Sequence, residues 1–413
     1  MLSASGSYPR GLVFTAFWAV LLAVIMVFHL VSTSCGPTAG TRSSSGLFAL
    51  GRKAQAAAMW PAFTHPKSSS PDMEGIRRSF AGSRDFYQSL PVVPLQHDEA
   101  PSDVPYSAAI LYMMDSRSDR ILDALASLET LARNIPFEHP YPILFLQSGD
   151  FDDSILQEAI VARWVERIRE LRKGSEKSTV LLQRMETMAD LIEFVRVDLT
   201  PNEEAMRAGV KELDPFFSDV WPGYHSMCRF FSVAVFRHPR IRQLDYYMRM
   251  DTDSFMPHEL AYDPIAMAFE RDLKYLGRVV MDDAGEACHG MWDFVEDFTN
   301  SHEGLADRLA RNGMRIPAPS PERLQAPIST YYNNFEVVHV PSFNRPDVAE
   351  WISSLDTYWR GFYVHRWGDA GLRRVTASMF FEPEAVRVLC SFDYFHRQDL
   401  FPAMCTAEDD LRP

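Results

Sequence analysis

Two aspartates one residue apart close the segment DYYMRMDTDSF, residues 245–255. Asp251 and Asp253 both offer hard oxygen donors, and alternate side chains of an extended chain share a face, so both can approach one divalent ion. An ion held this way bridges phosphate oxygens and neutralises the charge that builds on a departing nucleoside diphosphate. Arg249, two residues ahead of the first acid, suits the same chemistry because its guanidinium fork matches phosphate geometry. Read alone, the Asp-x-Asp pattern is weak and is more often a solvated turn.

The elements that must position these acids are legible nearby. The acids end an aromatic run, DYYMRM, that reads as a strand, and acids at the carboxyl end of a strand in an open α/β sheet lie where such sheets bind ligands. Upstream, YSAAILYMM (residues 106–114) has strand length. Ser118 is a candidate cap for the helix that follows, in which Ile121, Leu122, Leu125, Leu128 and Leu131 fall at helical spacing. YPILFLQ (residues 141–147) is a second strand, and the order strand, helix, strand predicts a crossover unit and an α/β domain with a parallel sheet. Residues 153–172 and 179–193 read as helices, EFVRVDL as a short strand, and the middle of the stretch before DYYMRM as an amphipathic helix.

The chain has 413 residues, 46% hydrophobic and 23% charged, enough for a large folded core. A net charge of −14 argues against a nucleic-acid partner, which needs basic patches. Residues 11–31, GLVFTAFWAVLLAVIMVFHLV, carry no Asp, Glu, Lys or Arg and match the roughly 20 residues that cross a bilayer. They are longer than the apolar part of a cleaved signal, so they read as an uncleaved anchor, with residues 1–10 cytoplasmic and the rest lumenal. Residues 32–103, rich in Ser, Pro, Ala and Gly, read as a flexible stem, and residues 104–413 as the globular domain. Five scattered cysteines exclude a zinc module, and an oxidising lumen permits one or two disulfides. None of the seven asparagines begins a glycosylation acceptor.

Several blocks, in order, carry a resemblance: PGYHSMCRFF, DYYMRMDTD with the following YDP, YYNNFEVVHVPSF, HRWGDAGLRRVTASMFF and SFDYFHRQDLFPAMC. From residue 106 to 405 they resemble the fungal-type α-1,2-mannosyltransferases of the Kre2/Mnt1 kind, glycosyltransferase family 15, which also place a tail, an anchor and a stem before the catalytic domain. The resemblance implies a GT-A type, Rossmann-like α/β domain with a mixed central sheet, a Golgi membrane location, and retaining transfer of mannose from GDP-mannose with Mn2+. The acceptors it implies are mannose-terminated N- or O-glycans of glycoproteins. Carried over by position, Tyr224 and Arg249 match contacts to the nucleotide and its phosphates, and Asp251 and His396 match the metal-binding acid and histidine. Glu336 matches the carboxylate proposed as nucleophile, and Asp369 a residue lining the acceptor pocket.

Arg117 corresponds to the family's arginine after the first strand with a one-residue shift, and Arg229 is a further candidate for the diphosphate. Trp367 either packs in the core or stacks on a sugar face. Asp253 is an extra metal ligand or a turn residue, since the family shows Glu-Pro where this chain has Asp-Thr-Asp. Arg373 stands where the family has a histidine. Two rival readings accompany this one: a GT-A enzyme with another nucleotide-sugar donor, and a catalytically silent lumenal relative that binds glycans.

Overall fold

A computed structural model describes residues 104–173 and 179–412. The expected tail, anchor and stem therefore lie outside the described residues. Among those described, no helix is long and apolar enough to cross a membrane.

The centre is a seven-stranded sheet. In chain order its strands are β1 (Ala108–Met113), β2 (Ile143–Gln147), β3 (Ile192–Arg196), β4 (Tyr246–Met250), β6 (Tyr275–Gly277), β9 (Phe335–His339) and β10 (Val386–Val388). Their spatial order is β10-β6-β9-β4-β1-β2-β3. Strands β4, β1, β2 and β3 run parallel, as the crossover pattern predicts, and β9 lies antiparallel between β4 and β6, which makes the sheet mixed. Helix α1 (Ser118–Asn134) connects β1 to β2, and α2 (Ser154–Lys173) with α3 (Thr179–Asp190) leads to β3. Ser118 is the first helical residue and not the cap: Arg117 holds that position, and no side chain caps the helix.

Both faces of the sheet are covered, so its strands carry apolar residues on each side. Along β1, Ile110 and Tyr112 join the core formed with α1, α2 and α3, while Ala109 and Leu111 join the opposite core. The second core includes helix α4 (Gly223–Ser232) and helix α5 (Asp369–Phe380). Two small sheets complete the fold: β12-β11-β5, from Asp399–Phe401, Tyr394–His396 and Ser254–Phe255, and β7-β8, from Val280–Asp282 and Ser329–Tyr331. Cys390 and Cys405 form a disulfide that brackets β11 and β12, while Cys228 and Cys288 are free and buried.

Candidate active site

Strand β4 ends at Met250, so Asp251 emerges at the carboxyl edge of the parallel strands. The chain turns there, since the Ser254 amide donates to the Asp251 carbonyl (3.0 Å), and β5 begins directly after Asp253. Strand β5 pairs antiparallel with β11, setting His396 opposite Ser254, and the Arg397 amide donates to the Asp253 carbonyl (3.0 Å). This ladder brings residue 396 to residues 251 and 253. The disulfide closes the loop that carries His396, and by chain entropy a closure of this length contributes about 3 kcal/mol. The buried Arg278 guanidinium reinforces it by donating to the carbonyls of Phe392 (2.8 Å) and Pro402 (2.7 Å).

Asp251, Asp253 and His396 each place a ligand atom within 4.8 Å of the others. His396 Nε2 lies 3.2 Å from Asp253 Oδ1 and 4.0 Å from Asp251 Oδ2, yet it is buried and makes no well-angled hydrogen bond. Its other nitrogen, Nδ1, shares a 2.6 Å hydrogen bond with the Tyr332 hydroxyl. In the tautomer protonated at Nδ1, the Nε2 lone pair faces two carboxylates, a donor set able to hold a cation. Two oxygens and an imidazole nitrogen suit Mn2+.

Each acid is held by other side chains. Arg249, fully enclosed in β4, donates to Asp251 Oδ1 from Nε (3.2 Å) and Nη2 (3.0 Å) and to Asp369 Oδ2 from Nη1 (2.5 Å). Asn334 Nδ2 donates to Asp251 Oδ2 at 2.6 Å, and Asn333 Nδ2 to Asp369 Oδ2 at 2.9 Å. Arg120, on α1, donates to Asp253 Oδ2 at 2.7 Å. Burial alone would raise the Asp253 carboxyl, but His396, when its Nε2 carries a proton, and Arg120 outweigh it and hold the group far below the usual carboxylate range. Asp369 shows the same balance: burial raises its pKa, while Arg249 and Asn333 bring it below the ordinary value.

Two cavities flank the acids, and Tyr224, Met227, Asp251 and Arg397 stand in the walls of both. The larger, about 490 Å³, opens over the ends of β1 and β2 and includes Asp115, Arg117, Arg120 and Asp253. The smaller, about 200 Å³, is lined by polar groups that include Asp283, Asn333, Asn334, Arg366, Asp369 and His396. Tyr224 accepts a hydrogen bond from Arg366 Nη2 (2.8 Å), and Arg366 also pairs with Asp283 (3.0 Å).

The residues singled out in the sequence separate into two groups. Tyr224, Arg249, Asp251, Asp369 and His396 line the smaller cavity; Arg117 and Asp253 line the larger, where Arg117 is exposed and paired with Asp115. Three others lie outside both. Glu336 on β9 is fully buried, accepts from Arg373 Nε (3.0 Å) and from the Tyr247 hydroxyl (3.0 Å), and lines neither cavity. Arg229 is paired with Asp356 (2.7 Å) and lines neither cavity. Trp367 is core and not a sugar platform: it is fully buried, packs on Phe294 and Tyr358, and donates from Nε1 to the His289 carbonyl (2.8 Å). Sequence alone assigns no role to Arg120, Tyr332, Asn333, Asn334 or Arg366. Four of these lie inside the quoted blocks, and their partners become visible only after folding.

The family model described as glycolipid 2-alpha-mannosyltransferase matches residues 87–412. The chain belongs to this family. It is a glycosyltransferase. Among curated relatives, it is 22% identical over 294 residues to O-glycoside alpha-1,2-mannosyltransferase homolog 3 of Schizosaccharomyces pombe, covering 71% of this chain and 72% of that protein. It is 24% identical over 173 residues to alpha-1,2 mannosyltransferase KTR1 of Saccharomyces cerevisiae, covering 42% of this chain and 43% of that one. The fold matches the solved structure of the mannosyltransferase Ktr4p from S. cerevisiae in complex with GDP, with a TM-score of 0.56 and 17% identity over 82% of this chain and 83% of that one. It also matches core-mannan synthase A from Aspergillus fumigatus in its Mn/GDP form, at a TM-score of 0.54 and 18% identity over 78% and 88% of the two chains. These likenesses show that the domain has the fold of those enzymes.

Proposed function

We propose that the protein transfers mannose from GDP-mannose to the 2-hydroxyl of a terminal α-mannoside on glycoprotein glycans, with retention and dependence on Mn2+. Its setting in this reading is the Golgi membrane, anchored once by residues 11–31 with the catalytic domain lumenal. The observation that carries the proposal is the convergence of Asp251, Asp253 and the unpartnered Nε2 of His396 between the two cavities. Support comes from the family match and from the GDP and Mn/GDP complexes of proteins with this fold.

The larger cavity, at the carboxyl ends of the parallel strands, suits the nucleotide. Arg120 and Arg397 stand in its wall beside Asp253 and can turn to the diphosphate, while the smaller cavity takes the sugar and the incoming hydroxyl. Asp251, Asp253 and His396 would hold Mn2+, which when bound supplies Lewis-acid stabilisation of the departing GDP. Asp369 keeps its carboxylate ionised through Arg249 and Asn333 and faces the smaller cavity, where it can orient the acceptor hydroxyl or share its proton. Glu336 remains the candidate for the anomeric carbon only if its pair with Arg373 parts, because the pair holds its charge outside that cavity.

The test is an assay of the purified protein with GDP-mannose, Mn2+ and α-methyl mannoside, followed by linkage analysis. A 1,2-linked α-dimannoside formed only with the metal supports the proposal. Turnover of a different nucleotide sugar in preference to GDP-mannose, or no turnover of any, contradicts it.

A further inference from the structure

Asn334 is attached to Asp251 twice. Its carbonyl accepts the Asp251 amide (2.9 Å), and its side-chain Nδ2 donates to Asp251 Oδ2 (2.6 Å). That second bond fixes the orientation of the amide, since the flipped form would set two acceptor oxygens against each other. The orientation leaves Oδ1 buried, and among the described residues no donor reaches it. Asn334 also stands in the wall of the smaller cavity, beside Asp251, Asp369 and Arg366.

A buried acceptor without a donor is costly, and native structures generally provide such atoms with a partner. Because Asn334 lines the smaller cavity, a ligand bound there can supply the missing donor. A sugar hydroxyl has that chemistry, whereas a phosphate oxygen or a second carboxylate does not.

We infer that Asn334 is a specificity-determining residue for the transferred sugar, its Oδ1 accepting a hydrogen bond from one hydroxyl of the donor pyranose. The inference rests on the proposed use of a GDP-linked sugar and names one determinant of the choice of sugar. Through Nδ2 the same side chain positions Asp251, so the two roles need separate readouts. Replacement by alanine removes both, but only the Oδ1 role depends on which hydroxyl the donor carries.

The experiment uses the full chain, wild type and Asn334→Ala, with GDP-mannose and a set of GDP-mannose analogues each lacking one sugar hydroxyl. Binding of GDP with Mn2+ is measured alongside by calorimetry. A site built to hydrogen-bond a hydroxyl rejects the analogue that lacks it, so wild type should use one analogue about tenfold or more less efficiently than the others. In Asn334→Ala that discrimination should shrink to about threefold or less, while any weakening of GDP binding is shared by every donor. A wild-type protein that tolerates every analogue within about threefold overturns the inference without any variant. So does an Asn334→Ala protein that keeps the wild-type analogue profile and loses only Mn2+ affinity. Failure of wild type to use GDP-mannose at all would instead overturn the proposed function, and this inference with it.

Discussion

Replacing Glu336 by glutamine should unfold the protein more readily before it reports on chemistry. Glu336 and Arg373 are both enclosed, with side chains 0% and 2% exposed, and are joined by two hydrogen bonds of 3.0 and 3.3 Å. Among the described residues, the Arg373 guanidinium has only the Phe231 carbonyl and the Tyr247 hydroxyl as further acceptors, and it rests on the rings of Phe236 and Phe343. Removing one member of such a pair leaves the other charge buried without compensation, which costs about 3–5 kcal/mol. At roughly 2 °C per kcal/mol for a domain of this size, Glu336→Gln should melt about 6–10 °C below wild type. Arg373→Met should fall by a similar amount, and the double variant should recover most of the loss because it buries no charge. Scanning calorimetry of the four proteins decides this. If Glu336→Gln melts within about 1 °C of wild type, or the two losses simply add, the pair does not hold Glu336 as described. Activity measured where all four remain folded separates the roles: the double variant rescues a carboxylate that acts only through Arg373, and does not rescue one required at the anomeric carbon.

Two further outcomes follow from neighbouring contacts. Burial first, then the nearby His289 and Arg360, lower the pKa of His365 to about 4, so it is neutral in the fold. Below pH 6.5 the unfolded chain binds a proton that the folded one does not. Stability should therefore fall from pH 6.5 towards 4 and then level off, with a His365 share well under the roughly 3.4 kcal/mol of the full shift because solvent screens the partly exposed ring; parallel urea midpoints for wild type and His365→Gln across that range would refute the assignment. A Cβ added at Gly361 would lie 2.4 Å from the Trp367 ring, so Gly361→Ala should lower stability by about 1–3 kcal/mol in denaturant titration. An unchanged midpoint would mean that Trp367 is not packed in the core.

The fold was largely legible in the chain because its signals are local. Alternating and continuous apolar runs marked β1, β2 and β4, and the helical spacing of Ile121, Leu125 and Leu128 marked α1, with errors of one or two residues at the ends. Asp251 was legible for the same reason, as an acid directly after a strand. His396 was not, since nothing near it in sequence points to a cation; the β5–β11 ladder places it there, and only the family pattern anticipated that. Arg229 and Trp367 show the converse. Residue type made them plausible ligand contacts, but partners 127 and 78 positions away, Asp356 and the His289 carbonyl, engage them elsewhere. The Arg373–Glu336 pair spans 37 positions and is not legible in the sequence, because a buried arginine carries no local signature.

The most direct test of the metal site is calorimetric titration of Mn2+ into the GDP-bound protein, comparing wild type with His396→Gln and Asp251→Asn. The arrangement of Asp251, Asp253 and His396 predicts one bound ion in wild type and about tenfold or greater weakening in each variant. Wild-type affinity in His396→Gln, with the protein still folded, would contradict it.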